Sequence, residues 1–164
     1  MFANMSRSSI ALAATLGLGL ALGACAHNNP DNLAAGYGAA GPGSVQEFMQ
    51  TVGDRVFFDT DQTDLSPTAQ ATLDKQAAWL NKYDRHAFTI EGHADERGTR
   101  EYNFALGARR AQAVHDYLVA KGVSASRMKT ISYGKERPVA VCDDISCWSQ
   151  NRRAVTVLNG APRS

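Results

Sequence analysis

A short run of alternating polarity, His86 to Glu91, passes through a charged turn into a helix-period run from Tyr102 to Lys121. This switch most constrains the fold. Phe88 and Ile90 alternate with Ala87, Thr89 and Glu91, which predicts a strand with one face in a core. Leu106, Ala113, Val114, Tyr117 and Leu118 keep helical spacing, and Gly122 stands where a left-handed C-terminal cap is wanted. A strand that feeds a long helix across a tight turn belongs to a layered fold, with helix packed on sheet.

The same alternation recurs along the chain. Arg55 to Phe58 is a β-branched and aromatic strand candidate, and Ser66-Pro67 supplies an N-cap followed by proline at the first helical position. A helix is expected from Pro67 to about Lys82, with Ala69, Leu73, Ala77 and Leu80 as its buried stripe. Met128 to Tyr133 and Ala154 to Leu158 are two more strands. The order β-α-β-α-β-β defines an α+β unit, and right-handed crossovers place both helices on one face of a mixed four-stranded sheet.

The ends of the chain have a different character. Residues 1–24 read as an export signal: Arg7 is the positive region, and Ile10 to Leu22 is an apolar run shorter than the roughly 20 residues that span a bilayer. Leu22-Gly23-Ala24-Cys25 resembles a lipobox, which makes Cys25 the lipidated first mature residue, with ordinary secretion as the alternative. Each buried methylene of an acyl chain contributes about 0.8 kcal/mol, so two or three chains anchor a protein stably. Residues 25–44 are then the lipidated cysteine and a tether rich in Asn, Gly, Ala, Pro and Ser, which buries too little to order itself. As a flexible coil it spans about 25 Å. Residues 45–160 suit one domain with one core, and 161–164 form a C-terminal tail.

Charge excludes some functions. The formal net charge of +1 falls to zero once Arg7 leaves with the signal, so there is no electrostatic case for nucleic acid or for an anionic lipid surface. Cys142 and Cys147 reach an oxidising compartment after export and are expected to pair there, against the alternative of two free thiols.

The charged turn and helix start read Gly92-His93-Ala94-Asp95-Glu96-Arg97-Gly98, followed by Asn103-x-x-Leu106-Gly107-x-Arg109-Arg110-Ala111. With Val56-Phe57-Phe58-Asp59, Ser132-Tyr133-Gly134-Lys135-Glu136-Arg137-Pro138 and Asn151-Arg152-Arg153-Ala154 in the same order, the chain resembles the OmpA-like peptidoglycan-binding domain.

That resemblance carries functional expectations. An acid on a turn and a base on the following helix can converge on a ligand bearing both an ammonium and a carboxylate, as the side chain of diaminopimelate in cell-wall stem peptides does. By resemblance, Asp95 takes the ammonium, Arg110 takes the carboxylate as a planar two-donor fork, and Asn103 adds a polar contact. The plainer alternative is a direct Asp95–Arg110 salt bridge. Asp59 and Thr60 match the position that closes the other side of the groove, although Asp59 could instead cap the Asp61 to Asp64 turn. Leu106 is either an apolar wall of the groove or a core residue. The implied function is non-catalytic: an outer-membrane lipoprotein, its domain in the periplasm, that links membrane to wall and partners the TolB-like β-propeller of the Tol system in envelope integrity and cell division. Ala26, where an Asp would retain the protein in the inner membrane, is consistent with that destination.

A wall hydrolase or amidase is the competing function. It needs a nucleophile elbow, a zinc-binding His-Glu-x-x-His or a reactive cysteine, and the sequence has none of these. A flagellar stator anchor shares the domain but carries a transmembrane helix. No metal and no cofactor are expected, and His93 reads as a hydrogen-bonded framework residue. Arg152 or Arg153 is expected to pair with an acid such as Asp143 or Asp144, Glu96, Arg97 and Arg109 to be solvated, and Trp148 to lie in the core, with a contact role as the alternative. By resemblance, Cys142 to Trp148 takes the place of a loop that is uncrosslinked in the better-known members, which leaves partner recognition at this end open.

Overall fold

The computed structural model describes residues 41–159. The signal, Cys25 and most of the expected tether lie outside the described residues, as do residues 160–164. The folded part begins with a single turn α1 (Val45–Glu47), a π turn (Phe48–Gly53) and strand β1 (Arg55–Phe57), followed by α2 (Pro67–Lys82), β2 (Phe88–His93) and α3 (Arg100–Ala120). A 3-10 turn (Ala125–Arg127), β3 (Met128–Gly134), α4 (Ile145–Asn151) and β4 (Arg153–Leu158) complete it. The sheet order is β1-β4-β2-β3, with β2 parallel to β3 and antiparallel to β4, and β1 antiparallel to β4.

The expected cap of α2 forms: Ser66 Oγ accepts from the Ala69 amide at 3.2 Å, and Pro67 opens the helix. Leu73, Ala77 and Leu80 meet Phe88, Ile90, Val114 and Leu118 in one core. Helix α3 packs on β2 and β3, α2 packs on β1 and the π turn, and the helices touch each other. Both cover the same face.

Three features differ from expectation. Residues 45–53 fold over the end of the core: Phe48 is buried against Trp79 with ring centroids 4.9 Å apart, and Glu47 accepts from Trp79 Nε1 at 2.8 Å. Strand β2 starts at Phe88 rather than His86 and extends to His93, and its outward face is buried as well, with Glu91 and His93 at 2% and 0% exposure. It is an inner strand, flanked by β4 and β3, so alternation does not mark a wet face. Lastly, α4 was not expected, because its seven residues are too short and polar to carry a periodic signal.

Candidate functional site

The turn after β2 is placed by the close crossing of α3. Gly92 and Gly107 touch where the helix passes over the strand: a Cβ on Gly92 would overlap the Gly107 carbonyl, and one on Gly107 would overlap Ser132 Oγ. Only glycine allows that approach, which brings α3 down onto the turn. The Ala94 amide donates to the Gly134 carbonyl at 2.8 Å, and Thr99 Oγ1 caps α3 by accepting from the Tyr102 amide. Between these anchors lies Asp95.

Asp95 is 7% exposed and carries its own cations. Arg97 lays its guanidinium across the carboxylate, Nη2 to Oδ2 at 2.6 Å and Nε to Oδ1 at 3.2 Å, and the Arg97 amide also reaches Oδ1. From beneath, Arg152 Nη1 donates to Oδ2 at 3.2 Å. Burial favours the neutral acid, but the hydrogen bonds from Arg97 and Arg152 outweigh it and hold the pKa below the ordinary carboxylate value. Asp95 is therefore ionised at neutral pH, although nearly buried.

Arg110 is fully buried. Its Nε donates to the Gln62 carbonyl at 3.0 Å, Nη1 to the His93 carbonyl at 2.8 Å and Nη2 to the Asp59 carbonyl at 3.1 Å, while the guanidinium lies 5.2 Å from the Phe58 ring centre. Burial, then repulsion from Arg152, lowers its pKa to about 10, and Asp95 and Asp61 partly restore it, so the cation persists. The plain Asp95–Arg110 salt bridge is not what forms; the ion pairs of Asp95 are with Arg97 and Arg152. Arg110 clamps the Asp59 to Gln62 loop onto the end of β2.

The other expected residues divide between ligand side and framework. Thr60 and Asp95 line a small cleft of about 190 Å³ together with Asp61, Arg97, Gly98 and Tyr102. Asp59 is exposed but lines a neighbouring hollow with Asp64, Ser66, Gln150 and Arg152; the turn that follows is closed by its backbone carbonyl, which accepts from the Gln62 amide at 3.2 Å. Asn103 is buried and donates to the Arg97 carbonyl at 2.6 Å, shaping the turn from below. Leu106 is 3% exposed, so of its two expected fates it takes the core one.

Several expectations are corrected. His93 is a framework residue without hydrogen bonds: neither ring nitrogen makes one, the Glu91 carboxylate stands 3.8 Å from Nε2, and Tyr133 lies 5.6 Å away, ring to ring. Arg152 does pair with an acid, but the acid is Asp95 rather than Asp143 or Asp144, and Arg153 donates to the carbonyls of Asn151 and Arg137. Trp148 is not core. It stands half-buried at the rim, its Nε1 donating to Glu96 Oε1 at 2.9 Å and its ring 4.2 Å from the Arg97 guanidinium. Arg97, Arg152, Asp61, Tyr102 and Trp148 were therefore missed as site residues. Only Arg97 carried a usable signal, two residues after an acid in a turn, where a side chain can fold back. Cys142 and Cys147 are bonded. Among the described residues no three His, Cys, Asp or Glu side chains gather as a metal would need.

A family model described as the OmpA family matches residues 57–152. The chain is 63% identical over 161 residues to a peptidoglycan-associated lipoprotein of Rhizobium meliloti, covering 96% of this chain and 92% of that one. It is 59% identical over 165 residues to the protein of the same name in Brucella melitensis, covering 98% and 97%. The crystal structure of the Burkholderia pseudomallei peptidoglycan-associated lipoprotein superposes with a TM-score of 0.64 at 40% identity, over 67% of this chain and 95% of that one. The C-terminal domain of Helicobacter pylori MotB shares the fold at a TM-score of 0.60 and 21% identity, over 64% and 83% of the two chains.

Proposed function

Because this chain belongs to the OmpA family, among its peptidoglycan-associated lipoproteins, we propose that it is a non-catalytic outer-membrane lipoprotein that binds peptidoglycan and ties the membrane to the wall. The domain of residues 45–160 makes the wall contact. Cys25, after loss of residues 1–24, carries the lipid, and the segment up to residue 44 is the tether.

The observation that carries the ligand reading is the ionised Asp95 at the floor of a cleft that also holds Thr60, Asp61 and Arg97. A site with both signs suits the zwitterionic side chain of diaminopimelate in a stem peptide. Its ammonium goes to Asp95, with Asp61 beside it. Its carboxylate goes to Arg97, while Arg110, fully buried on three backbone carbonyls, holds the Asp59 to Gln62 loop that borders the cleft. Asn103 acts through the turn it supports, and Asp59 borders the site from the adjoining hollow. Association with a TolB-like propeller and a role in the Tol–Pal division machinery rest on family membership alone.

Sedimentation with wall sacculi tests the site. Wild type should co-sediment, and Asp95→Asn, which keeps shape but loses charge, should weaken binding about tenfold or more, in the range for a buried charge-assisted contact. Amidating the diaminopimelate carboxylate should weaken binding as well. Unchanged binding of Asp95→Asn with the fold intact would falsify the assignment. No soluble wall fragments should appear in the supernatant, and their release would support the hydrolase reading instead.

A further inference from the structure

The cysteine-bearing segment that follows β3 is joined to the cleft by a chain of contacts. Helix α4 begins inside the Cys142–Cys147 disulfide, and Asp144 Oδ1 caps it by accepting from the Ser146 amide at 2.6 Å. Its far end is locked by Asn151, buried at 1% exposure, whose carboxamide accepts from the Val139 and Ala140 amides and donates to the Ala140 carbonyl. A short helix held at both ends presents Trp148 at a set position. Its Nε1 bond to Glu96 sets the ring orientation, and the ring carries the Arg97 guanidinium, which is itself laid on Asp95.

Arg97 therefore occupies the face of Asp95 where a ligand's ammonium would sit. We infer that Trp148 is a positioning residue for ligand choice: it holds Arg97 at the cleft mouth so that Arg97 yields Asp95 to a ligand ammonium and turns to the carboxylate of that same ligand. This rests on the proposed diaminopimelate site. A planar guanidinium can rotate over an aromatic face and keep its cation–π contact while its N–H bonds change partner. A ligand with an ammonium alone must displace the Arg97 fork and leaves that guanidinium without a free carboxylate to replace Asp95, since of the two other nearby acids Glu96 accepts from the indole and Asp61 from the Tyr102 hydroxyl. A ligand with both groups exchanges one ion pair for two. The disulfide segment thus serves discrimination between a zwitterionic side chain and a simple amine.

The test uses the full exported chain in detergent, titrated with two stem peptides that differ only at the third residue, diaminopimelate or lysine. Wild type should prefer diaminopimelate. Trp148→Ala should weaken diaminopimelate binding about two- to fivefold, the range for a partly exposed cation–π contact, and leave the lysine peptide unchanged, so the preference narrows. Trp148→Phe should restore most of the preference. The chain has two tryptophans, so the emission change that the diaminopimelate peptide causes in wild type should vanish in Trp148→Phe, where only Trp79 remains. Arg97→Lys, an exposed change that keeps the charge but loses the planar fork, should narrow the preference as well and carries the test if Trp148→Ala does not fold. A wild-type preference in Trp148→Ala or in folded Arg97→Lys overturns the inference while leaving the proposed site standing. A wild type that binds neither peptide refutes the site itself.

Discussion

Replacing His93 with leucine should make the domain resistant to mild acid. His93 ends β2 on the face away from the helices, with 0% exposure and no hydrogen bond to either ring nitrogen. Burial, then the positive charges of Arg153, Arg137 and Arg55, lowers its pKa from 6.5 to about 3, even though a Glu91 carboxylate oxygen lies 3.8 Å from Nε2. The folded value lies below the unfolded one, so as pH falls the unfolded chain takes up the proton first. Stability is intact above 6.5 and is lost between 6.5 and about 3, at roughly 1.4 kcal/mol per pH unit. At about pH 4.5 wild type should have lost about 3 kcal/mol through this group, a large part of the roughly 5–15 kcal/mol that holds a domain folded. Asp95 cannot mimic this, because its lowered pKa keeps its contribution in place until the pH falls below 3.8. Urea unfolding at neutral pH and at about pH 4.5, followed by tryptophan emission, measures the difference. His93→Leu should be close to wild type at neutral pH, since the ring nitrogens it removes make no hydrogen bond, and should lose about 3 kcal/mol less on acidification. Parallel losses in the two proteins would refute the reasoning, since they would place the titration elsewhere.

The remaining predictions concern the parts that carry the cleft. Gly92→Ala pushes a methyl group into the Gly107 carbonyl on α3, so the crossing must open, and destabilisation of about 2–4 kcal/mol is expected by thermal unfolding. Arg110→Met strands one buried and two part-buried backbone carbonyls and should cost about 3 kcal/mol, so its sacculus binding must be compared at matched folded fraction. Cys142→Ser with Cys147→Ser removes a short loop closure and should lower stability by about 2 kcal/mol in the oxidised protein, whereas an equal melting temperature for both proteins under reducing conditions is expected.

How far the sequence can be read depends on how local the deciding physics is. Helix α2 was legible because its cap, its proline and its apolar stripe are all neighbours in sequence, and each favours a helix without outside help. Strand β2 was legible as a strand but not as an inner one: Thr89, Glu91 and His93 look like a wet face until β3 and β4 flank it and cover it. Residues 45–53 and α4 were invisible, the first because Phe48 gains its burial from Trp79 and a core distant in sequence, the second because a seven-residue helix lives on its disulfide, its Asp144 cap and the contacts of Asn151. Within the candidate site, Asp95 and Arg110 could be named but not placed. Which of many carbonyls would engage Arg110, and that Arg152 would reach Asp95 across most of the domain, are long-range outcomes.

The sequence by itself determined the two long helices, the four strands and their order, the lipobox pattern, and the presence of an acid and a base at a turn and a helix. These follow from periodicity, backbone sterics and motif chemistry within short windows. Only the tertiary structure decided that Arg110 works from beneath as a clamp, that Arg97 and Arg152 neutralise Asp95, and that Trp148 reaches the cleft from the disulfide segment. Ion pairing and burial depend on what the fold brings within a few ångströms, and at that range partners far apart in the chain compete equally with neighbours.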